Sequence, residues 1–555
     1  MKFRLNTIAW LCCVIYAAPA TLWAQTLPSS PQQGIEQSMQ LMRERLQPKP
    51  VVHVDTLGLE TTATIRQLQG VQVRGDLLKT EIEKFWKPYS GQAVSAEKIQ
   101  EFHAWFNEKA RRAGFMAYAQ TETVEASDGQ ILIIQSLQPK VGTVRIFSKD
   151  PVLVDRYEEL LKKRFDVDFK SGMPLDTLGL DQRLDSVSYD LPIELDATLR
   201  AVGPELLDLI VNITPAAHQA AKLVNFAEQW SNYGLKQYGH LQITAMGKIT
   251  GWREKSSLAL MGQISEGLDY GRAEYEDLVP AWGGRWRIYG SHANSKSTYT
   301  GAAKTENNSG EVGAGLTRIL GGHRDMVFKG QVELSARETR SHLMSTGTPI
   351  SNVNDHQLRM RLSTDNERLT PMSTRAELGL TLGDYIHVQG PTLPVGTYKR
   401  VDALYKTEQA LDRAGTVSLL GRIKGQWTDR NLDAYNQMAL GGLNAVRAYS
   451  SIDGVGDRAV VGTLEVNKSF KRELNVGVFY DGGYVQNSVQ RITGQSFNHD
   501  TLQSVGLKLE GQVPGLNYSF FWAKGVGGYK SWQNTNLESK PNNNRIWASV
   551  TIFVP

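Results

Sequence analysis

The chain has 555 residues, with 61 Lys and Arg against 57 Asp and Glu, and 41% of it is hydrophobic. A nucleic-acid-binding protein normally carries a marked basic excess, so the near balance of charge argues against one. The hydrophobic share excludes wholesale disorder, and the length provides for roughly two to four domains. Its 51 glycines and 20 tyrosines favour strands and turns over helical bundles.

Residues 1–24 have the pattern of a secretory signal peptide. Lys2 and Arg4 supply a positive start, an uncharged apolar run follows, and cleavage is expected after Ala20 or, preferably, after Ala24. Both cysteines of the chain lie in this segment, so the mature protein is expected to have neither disulfides nor thiol catalysis. No later stretch approaches about 18 uninterrupted apolar residues, so no membrane-spanning helix is expected.

Residues 31–46 are predicted to form a short amphipathic helix, and residues 47–63 a polar linker. Apolar residues recur in the helix at steps of three to four residues, and Pro48 and Pro50 end it. The helix has no neighbour in sequence to pack against, so its apolar face must dock elsewhere. That face comprises Ile35, Met39, Met42 and Leu46.

Residues 64–139 and 140–215 repeat one pattern of strand, helix, helix, strand and strand. Gly91–Ser95 in the first unit is matched 81 residues later by Gly172–Asp176, and each segment places a capping residue near the start of the second helix. The predicted elements of the first unit are Ile65–Val73, Leu78–Tyr89, Ala96–Ala113, Phe115–Val124 and Ile131–Leu137. Those of the second are Val141–Phe147, Val152–Phe165, Leu175–Tyr189, Glu194–Ala201 and Leu206–Ile213.

From residue 220 to 555 the pattern changes to a period of two residues. In one such stretch Leu358, Met360 and Leu362 alternate with two arginines. A soluble β-sandwich or propeller would need central apolar runs, which this region lacks. An exported chain with alternating strands of roughly 9–11 residues fits an outer-membrane barrel better.

The length of this region is comfortable for 16 strands, the number that the family resemblance described below also implies. Sixteen strands leave 21 residues for each strand and its connection, whereas eight would leave 42. The expected fold is therefore an α+β N-terminal part with two βααββ domains, followed by an all-β transmembrane barrel of 16 antiparallel strands. A long polar loop is expected at Asn294–Ser309.

No enzyme signature is found in the sequence. It contains no Gly-rich phosphate loop ending in Gly-Lys-Ser/Thr, no His-Glu-x-x-His and no Cys/His cluster. Asp453–Asp457 has the wrong spacing for a calcium loop and is better interpreted as a glycine-rich turn. We therefore expect no catalytic residue, cofactor, metal or nucleotide.

Two short motifs stand out within the barrel region. Val446–Tyr449 lies in a Gly-rich, non-alternating segment, and Phe479–Gly483 ends an alternating strand. The alternation places Phe479, Asp481 and Gly483 on the inner face. An Asp inside a lumen requires a cationic partner, and Arg447 on the loop is a candidate.

These two motifs in this order, behind two βααββ units, resemble the two-partner secretion transporters (TpsB, the hemolysin secretion/activation proteins) of the superfamily that includes the barrel-assembly insertase. The resemblance implies that the βααββ units are polypeptide-transport-associated (POTRA) domains. It also implies that the helix at 31–46 plugs the pore and that the sixth extracellular loop folds inward, with Arg447 paired to Asp481. The immediate setting of that pair would be Val446, Tyr449, Phe479 and Gly483.

The function implied is export of a large hemolysin-, adhesin- or toxin-like partner from the periplasm to the cell surface. The POTRA domains, in the periplasm, would recognise this exoprotein. The other expected partners are outer-membrane lipid and the barrel-assembly machinery for the protein's own insertion; nucleic acid and nucleotide are not expected. One alternative is an insertase, which usually carries three or more POTRA units. Another is a passive porin, which needs none, and a third is an enzyme in a barrel.

Three features qualify this interpretation. Ala448 replaces a glycine of the motif, at a cost of about 1 kcal/mol if the position requires a positive φ. The chain ends without a terminal aromatic residue, at Phe553-Val554-Pro555. The basic residues of the helix Val152–Phe165 either steer an acidic part of the substrate or merely solvate the helix; they are Arg156, Lys162, Lys163 and Arg164.

Overall fold

The computed structural model describes residues 65–554 with short gaps, and the predicted signal peptide, the helix at 31–46 and the linker at 47–63 lie outside the described residues. The gaps are 113–116, 166–168, 177–178, 181–182, 185–186, 189–190, 192, 204, 216–221, 251–252, 254, 280–282, 297–303, 324–325, 366–371, 390–393, 413–415, 471–473, 492–496, 528 and 530–538. Among the helices that are described, none has the length and apolar content needed to cross a bilayer.

The first unit has the predicted βααββ order. Its three strands form a sheet in the order β1-β3-β2, in which β1 is parallel and β2 antiparallel to the central strand. A short 3₁₀ turn extends the first helix to Tyr89. The elements are β1 (Leu68–Arg74), α1 (Lys79–Trp86), α2 (Ala96–Arg112), β2 (Tyr118–Ala126) and β3 (Gly129–Leu137).

The second helix of this unit shows why the sequence folds in this way. Ile99, Phe102, Phe106 and Ala110 follow one another at three- and four-residue steps and are all buried against the sheet. Such spacing places apolar side chains on a single helical face. Phe85 of the first helix packs against the same core, with its ring centroid 5.3 Å from that of Phe102.

The second unit repeats the arrangement with the sheet order β4-β6-β5. Within its second predicted helix, Leu175–Tyr189, residues 175–176 are not helical, whereas residues 179–180, 183–184 and 187–188 are. Leu180, Leu184 and Val187 from these pairs are buried in the core of the unit. The elements are β4 (Lys140–Phe147), α3 (Pro151–Phe165), β5 (Ile193–Gly203) and β6 (Leu206–Pro215).

A closed barrel of 16 antiparallel strands follows, as predicted. The last strand pairs with the first over Ser549–Val554 and Phe226–Ser231, which closes the sheet on itself. The strands are β7 (Lys222–Ser231), β8 (Gln242–Thr250), β9 (Ser257–Ile264), β10 (Leu268–Leu278), β11 (Arg285–Lys296), β12 (Thr305–His323), β13 (Met326–Leu343), β14 (Pro349–Asp365), β15 (Met372–Gln389), β16 (Gly396–Ala410), β17 (Val417–Thr428), β20 (Arg458–Phe470), β21 (Leu474–Gln486), β22 (His499–Val513), β23 (Leu516–Gly525) and β24 (Asn544–Val554). Two short strands, β18 (Met438–Ala439) and β19 (Val455–Gly456), pair with each other outside the barrel sheet.

We call the end of the barrel at which β7 begins and β24 ends the proximal end, and the opposite end the distal end. The two faces of the wall differ as the alternation predicts. Leu334 and Leu464 point outward and are 62% and 58% exposed, whereas their neighbours Glu333 and Glu465 point inward and are 4% and 7% exposed. The outer face is thus an apolar band suited to lipid, and the lumen is lined with charged and polar side chains.

The predicted loop at Asn294–Ser309 is wrong in extent. β11 continues to Lys296 and β12 starts at Thr305, so the connection is residues 297–304, and β12 is 19 residues long. The strands extend beyond the length needed to cross a bilayer, and there both faces can be polar. Asn307, for example, is buried on the inner face and contacts Ser295 and Ser341 of the flanking strands.

Two of the four basic residues singled out on α3 pair with glutamates of their own helix. Lys162 pairs with Glu158 at 2.6 Å and Lys163 with Glu159 at 2.7 Å, each one turn away. Exposed pairs of this kind contribute only a few tenths of a kcal/mol. Their geometry supports solvation of the helix face over steering of a substrate.

Candidate functional site: a loop held inside the barrel

Residues 429–457 connect β17 to β20 at the distal end and fold into the lumen; we call them the lumen loop. The pairing of β18 with β19 brings the two sides of the loop together. Within the loop, the Val446 N–H donates to the Leu440 carbonyl at 2.8 Å. Gly441 is required here, because a Cβ at this position would overlap the Ser450 carbonyl. The chain therefore turns tightly and presents the segment Val446–Tyr449 to the wall.

Arg447 of this loop binds Asp481 of β21 through two parallel hydrogen bonds. Its Nη2 lies 2.7 Å from Oδ1 and its Nε 2.9 Å from Oδ2, and its own backbone N–H donates to Oδ2 at 3.1 Å. The aspartate also accepts from Thr463 Oγ1 at 3.0 Å and Ser504 Oγ at 2.9 Å. The carboxylate, which is fully buried, thus has hydrogen-bond donors on both oxygens.

A second carboxylate shares the arginine. Arg447 Nη1 lies 2.6 Å from Glu465 Oε1 on β20, and Lys508 Nζ on β22 lies 2.9 Å from the other oxygen of that glutamate. Lys508 continues to Glu510 at 3.1 Å. Charges of both signs therefore alternate across three strands, which offsets the cost of removing them from water.

Aromatic side chains surround the guanidinium. Its carbon lies 3.4 Å from the centre of the Phe479 ring, and Phe521 borders it at 5.9 Å. Trp547 Nε1 donates to the Arg447 carbonyl at 2.6 Å. A cation over an aromatic face gains about 0.5–2 kcal/mol, more where water is excluded.

The remaining residues singled out from the sequence pack around this pair. Val446 and Tyr449 are fully buried, and the Tyr449 ring meets Tyr529 edge-on at 5.4 Å. Gly483 faces inward on β21, where a Cβ would lie 2.9 Å from Leu440 of the loop. The structure thus brings all six predicted residues to one place in the lumen.

Ala448 does not carry the strain considered from the sequence. Among the described residues other than glycine, positive φ angles occur at Leu78, Lys255 and Asn542, and Ala448 is not one of them. Its methyl group is fully buried in the cluster around Val446. Alanine therefore fits this position without a backbone penalty.

The base of the loop is clamped at the distal end by Asp457. Its carboxylate accepts hydrogen bonds from Leu432 N–H at 2.9 Å, Gln437 Nε2 at 2.9 Å and Val489 N–H at 3.0 Å. Burial raises the pKa of Asp457 to about 6, since these donors only partly replace its hydration. Asp453, at the other end of the same turn, accepts from Ser450 N–H at 2.7 Å. The Asp453–Asp457 turn is thus a hydrogen-bonded anchor, and no metal-binding cluster occurs among the described residues.

Sequence reasoning missed four residues that hold the loop. Glu465 and Lys508 complete the arginine site, and Asp433 and Asn436 bind strands β13–β16, as described below. The only signal for Glu465 and Lys508 was their inward phase on the strands, which they share with many other lumen charges. Nothing in the loop sequence marked Asp433 or Asn436.

The comparisons with known proteins agree with this geometry. Residues 216–509, more than half of the chain, match the model of the haemolysin secretion/activation protein ShlB/FhaC/HecB family. A search of curated proteins gives no significant match.

Two solved structures share the fold over nearly the whole chain. CdiB from Escherichia coli is 16% identical, with 96% of this chain and 100% of that chain covered and a TM-score of 0.57. CdiB from Acinetobacter baumannii is 13% identical, with 94% and 97% covered and a TM-score of 0.54.

A 16-stranded barrel with an apolar outer band, preceded by βααββ units and closed by an inward loop, defines an outer-membrane protein of the protein-transporting class. The chain belongs to the haemolysin secretion/activation protein ShlB/FhaC/HecB family. The resemblance to two-partner secretion transporters noted from the motifs is thereby confirmed, and the protein is placed in the outer membrane.

Proposed function

We propose that this transporter exports one large partner exoprotein, hemolysin-, adhesin- or toxin-like, from the periplasm to the cell surface. The signal peptide at residues 1–24 would direct the chain across the inner membrane, and the barrel-assembly machinery would insert it. Both βααββ units would lie in the periplasm as POTRA domains. Their attachment supports this placement, because the second unit contacts the barrel at its proximal end, away from the lumen loop.

The observation that carries the proposal is the polar attachment of the lumen loop. Arg447 of the loop binds Asp481 and Glu465 of the wall through charged hydrogen bonds. The lumen is hydrophilic, so water or an extended polypeptide can replace each of these partners. The loop tip also packs apolar side chains against the wall, among them Val446, Ala448 and Tyr449. A substrate that displaces the loop must therefore replace its polar partners and offset the loss of this apolar packing.

Recognition would occur at the exposed sheet edges of the two units. In the second unit β4 is an edge strand, and α3 packs beside it. Phe147 on β4, and Val152 and Leu160 on α3, are exposed large apolar side chains. An extended substrate can add a strand to such an edge and place its side chains against such residues.

The helix at 31–46 would act as a removable plug with its four apolar anchors. Deleting it should raise conductance in planar bilayers, the porin-like activity expected of an open lumen, with export retained. No enzymatic step, nucleotide or cofactor forms part of the proposal, and folding of the substrate outside the cell would supply the driving force.

A deletion of the gene tests this function against the two alternatives. Under the proposal, one large protein disappears from the medium and the cell surface. Under the insertase alternative, many outer-membrane proteins decline together, and under the passive-porin alternative the secreted proteins are unchanged. Two units are described between residues 65 and 215, fewer than insertases usually carry.

Complementation with Arg447→Ala then tests the site. The variant should restore the barrel in the membrane, shown by heat-modifiable migration, and should fail to restore secretion. Full secretion by Arg447→Ala would overturn the role of the loop, and loss of heat-modifiable migration would assign the arginine a purely structural role.

A further inference from the structure

The first limb of the lumen loop, residues 431–437, is bound to strands β13–β16, which β17 separates from the strands of the arginine site. Asp433 and Asn436 lie in one turn, in which Asn436 N–H donates to the Asp433 carbonyl at 3.0 Å. Their side chains also meet, with Nδ2 of the asparagine 2.6 Å from Oδ1 of the aspartate. Both are buried, although they belong to a loop that starts at the distal rim.

Four strands contribute partners to the side chains of these two loop residues, and Gln426 of β17 donates to the Asn436 carbonyl at 2.9 Å. Asp433 accepts from Arg337 Nη2 on β13 at 3.0 Å and from the Tyr385 hydroxyl on β15 at 2.9 Å. The Asp433 N–H donates back to that hydroxyl at 3.1 Å. Tyr435, between the two loop residues, places its ring 4.8 Å from the guanidinium carbon of Arg337.

Asn436 uses both ends of its amide. Its Nδ2 donates to Asp355 Oδ2 on β14 at 2.8 Å, and its Oδ1 accepts from Gln357 Nε2 and from Arg400 Nη1, each at 2.9 Å. An amide in this position has a carboxylate on its donor side and two donors on its acceptor side. The match fixes the orientation of the loop as well as its position.

The wall is prepared for the loop even without it. Arg337 also binds Asp355 at 2.8 Å, so its charge stays compensated if Asp433 leaves. Tyr385 and Tyr398 stack at 4.8 Å, and the Tyr398 hydroxyl donates to Asp355 at 3.1 Å. These wall residues can therefore release and rebind the loop without leaving an unpaired charge in the wall.

We infer that the lumen loop is a strap with two locks, Arg447 on strands β20–β22 and Asp433 with Asn436 on strands β13–β16, and that both locks must release before the lumen opens. Asp433, Asn436 and Arg337 are then positioning residues for transport. The inference rests on the proposed function only in taking the lumen as the substrate's route.

The two-lock arrangement has a consequence that one lock would not have. When Arg447 alone is released, the loop is still fixed inside the lumen by its first limb, on strands β13–β16. When Asp433 and Asn436 alone are released, the tip remains bound. The effects of the two changes on pore size should therefore be much larger together than the sum of the effects of each alone.

Single-channel conductance in planar bilayers tests this with four proteins and a control. The proteins are the unaltered chain, Arg447→Ala, Asp433→Asn/Asn436→Ala, and the triple variant. Either lock variant alone should change conductance less than about twofold, and the triple variant should raise it at least about threefold. Asp429→Asn is the matched control, since this exposed carboxylate at the start of the lumen loop accepts a hydrogen bond from the Lys399 N–H at 2.8 Å and belongs to neither lock. It should leave conductance unchanged.

Each protein is also measured without residues 31–46, so that the proposed plug is not mistaken for the loop. If the triple variant conducts no more than Arg447→Ala in either background, the second lock does not exist. A result of this kind is independent of cargo export. An unchanged set of secreted proteins on gene deletion would overturn the proposed function and leave the conductance result standing.

A cross-link provides a second test if Asp433→Asn/Asn436→Ala fails to fold. Gln357→Cys and Asn436→Cys are introduced with Cys12 and Cys13 replaced by serine, and the pair is joined by a short cleavable bifunctional thiol reagent. Joined to the wall in an Arg447→Ala background, the loop should keep conductance within about twofold of the unaltered chain, and cleavage of the reagent should raise it. Equal conductance before and after cleavage would overturn the inference.

Discussion

Three glycines of the lumen wall stand directly opposite an aromatic residue on the neighbouring strand. Gly506 faces Phe479, Gly383 faces Tyr398, and Gly313 faces Tyr289. A Cβ at any of these glycines would overlap the ring. Because the side chain is absent, each ring lies flat across the strand and reaches its partner in the lumen. At Phe479 that partner is the Arg447 guanidinium.

Gly506→Ala should therefore weaken the loop site. The added methyl group collides with Phe479 and with the Trp522 carbonyl of the adjacent strand, and overpacking of this kind costs about 1–3 kcal/mol. The free energy of unfolding in urea should fall by that amount. Gly462→Ala is the matched control on a nearby strand, since its methyl group would meet nothing closer than 3.9 Å. Equal stability of the two variants would contradict the prediction.

At the scale of elements, the lumen loop is held at three places, its tip, its first limb and its base. Ion pairs fix its tip and its first limb, and a clamp of backbone amides around Asp457 fixes its base. The clamp joins the loop to the next distal connection through Val489. The pKa of its Asp457 carboxyl, about 6, lies in an accessible pH range.

The clamp should be more stable in acid than at neutral pH. Folding raises the pKa of Asp457 from 3.8 to about 6, so the folded state binds the proton more tightly than the unfolded state. Its stabilising contribution is fully present below about pH 4 and is lost as the pH rises through about 6.

Hydrogen exchange, corrected for intrinsic rates, measures this dependence. Amides of residues 429–437 and 487–490 should be better protected at about pH 4.5 than at about pH 7, and Asp457→Asn should remove the difference. Protection that stays constant or increases with pH in the unaltered chain would show that the carboxylate is ionised throughout.

At the scale of the whole molecule, Lys255 links the second βααββ unit to the barrel. It lies in the turn between β8 and β9, with a positive φ of 58° that is unfavourable for lysine by about 1–2 kcal/mol. Its Nζ donates to the carbonyls of Ser188 and Ile193 and lies 3.2 Å from Glu194. Its own carbonyl accepts from Arg285 Nη2 at 2.5 Å, which ties the turn to β11. Burial lowers the pKa of this lysine, an effect that Glu194 partly offsets.

Lys255→Ala should loosen the orientation of the unit relative to the pore. Hydrogen bonds from a charged donor contribute about 1.5–3 kcal/mol each, more than the backbone strain removed. Pulsed EPR distances between spin labels on Glu159 and Lys468 should be narrow in the unaltered chain and broad in Lys255→Ala. Lys329→Ala, whose lysine pairs with Asp365 of the barrel itself, is the matched control and should stay narrow. Narrow distances in both variants would show that other contacts set the orientation.

Much of this architecture could be predicted because its signals are local in sequence. The alternation around Leu358–Leu362 and the steps of three and four from Ile99 to Ala110 arise from strand and helix geometry, which tertiary contacts do not alter. The same alternation placed Asp481 in the lumen and made Arg447 a reasonable partner for it. Strand ends such as Lys296 and Thr305 were not predictable, since polar residues extend the strands where both faces are hydrated.

By itself, the sequence determined the two βααββ units, the barrel with its 16 strands and the identity of the loop motif. Only the tertiary structure decided which lumen charges hold the loop. Glu465, Asp355 and Arg337 point inward on their strands, as many other charged residues do. Asp433 and Asn436 lie in a loop, where the sequence does not alternate. The curvature of the barrel brings β13 and β20, which are far apart in sequence, into contact with two parts of one loop. The partner of a buried charge is set by distance in space, which a period of two residues does not encode.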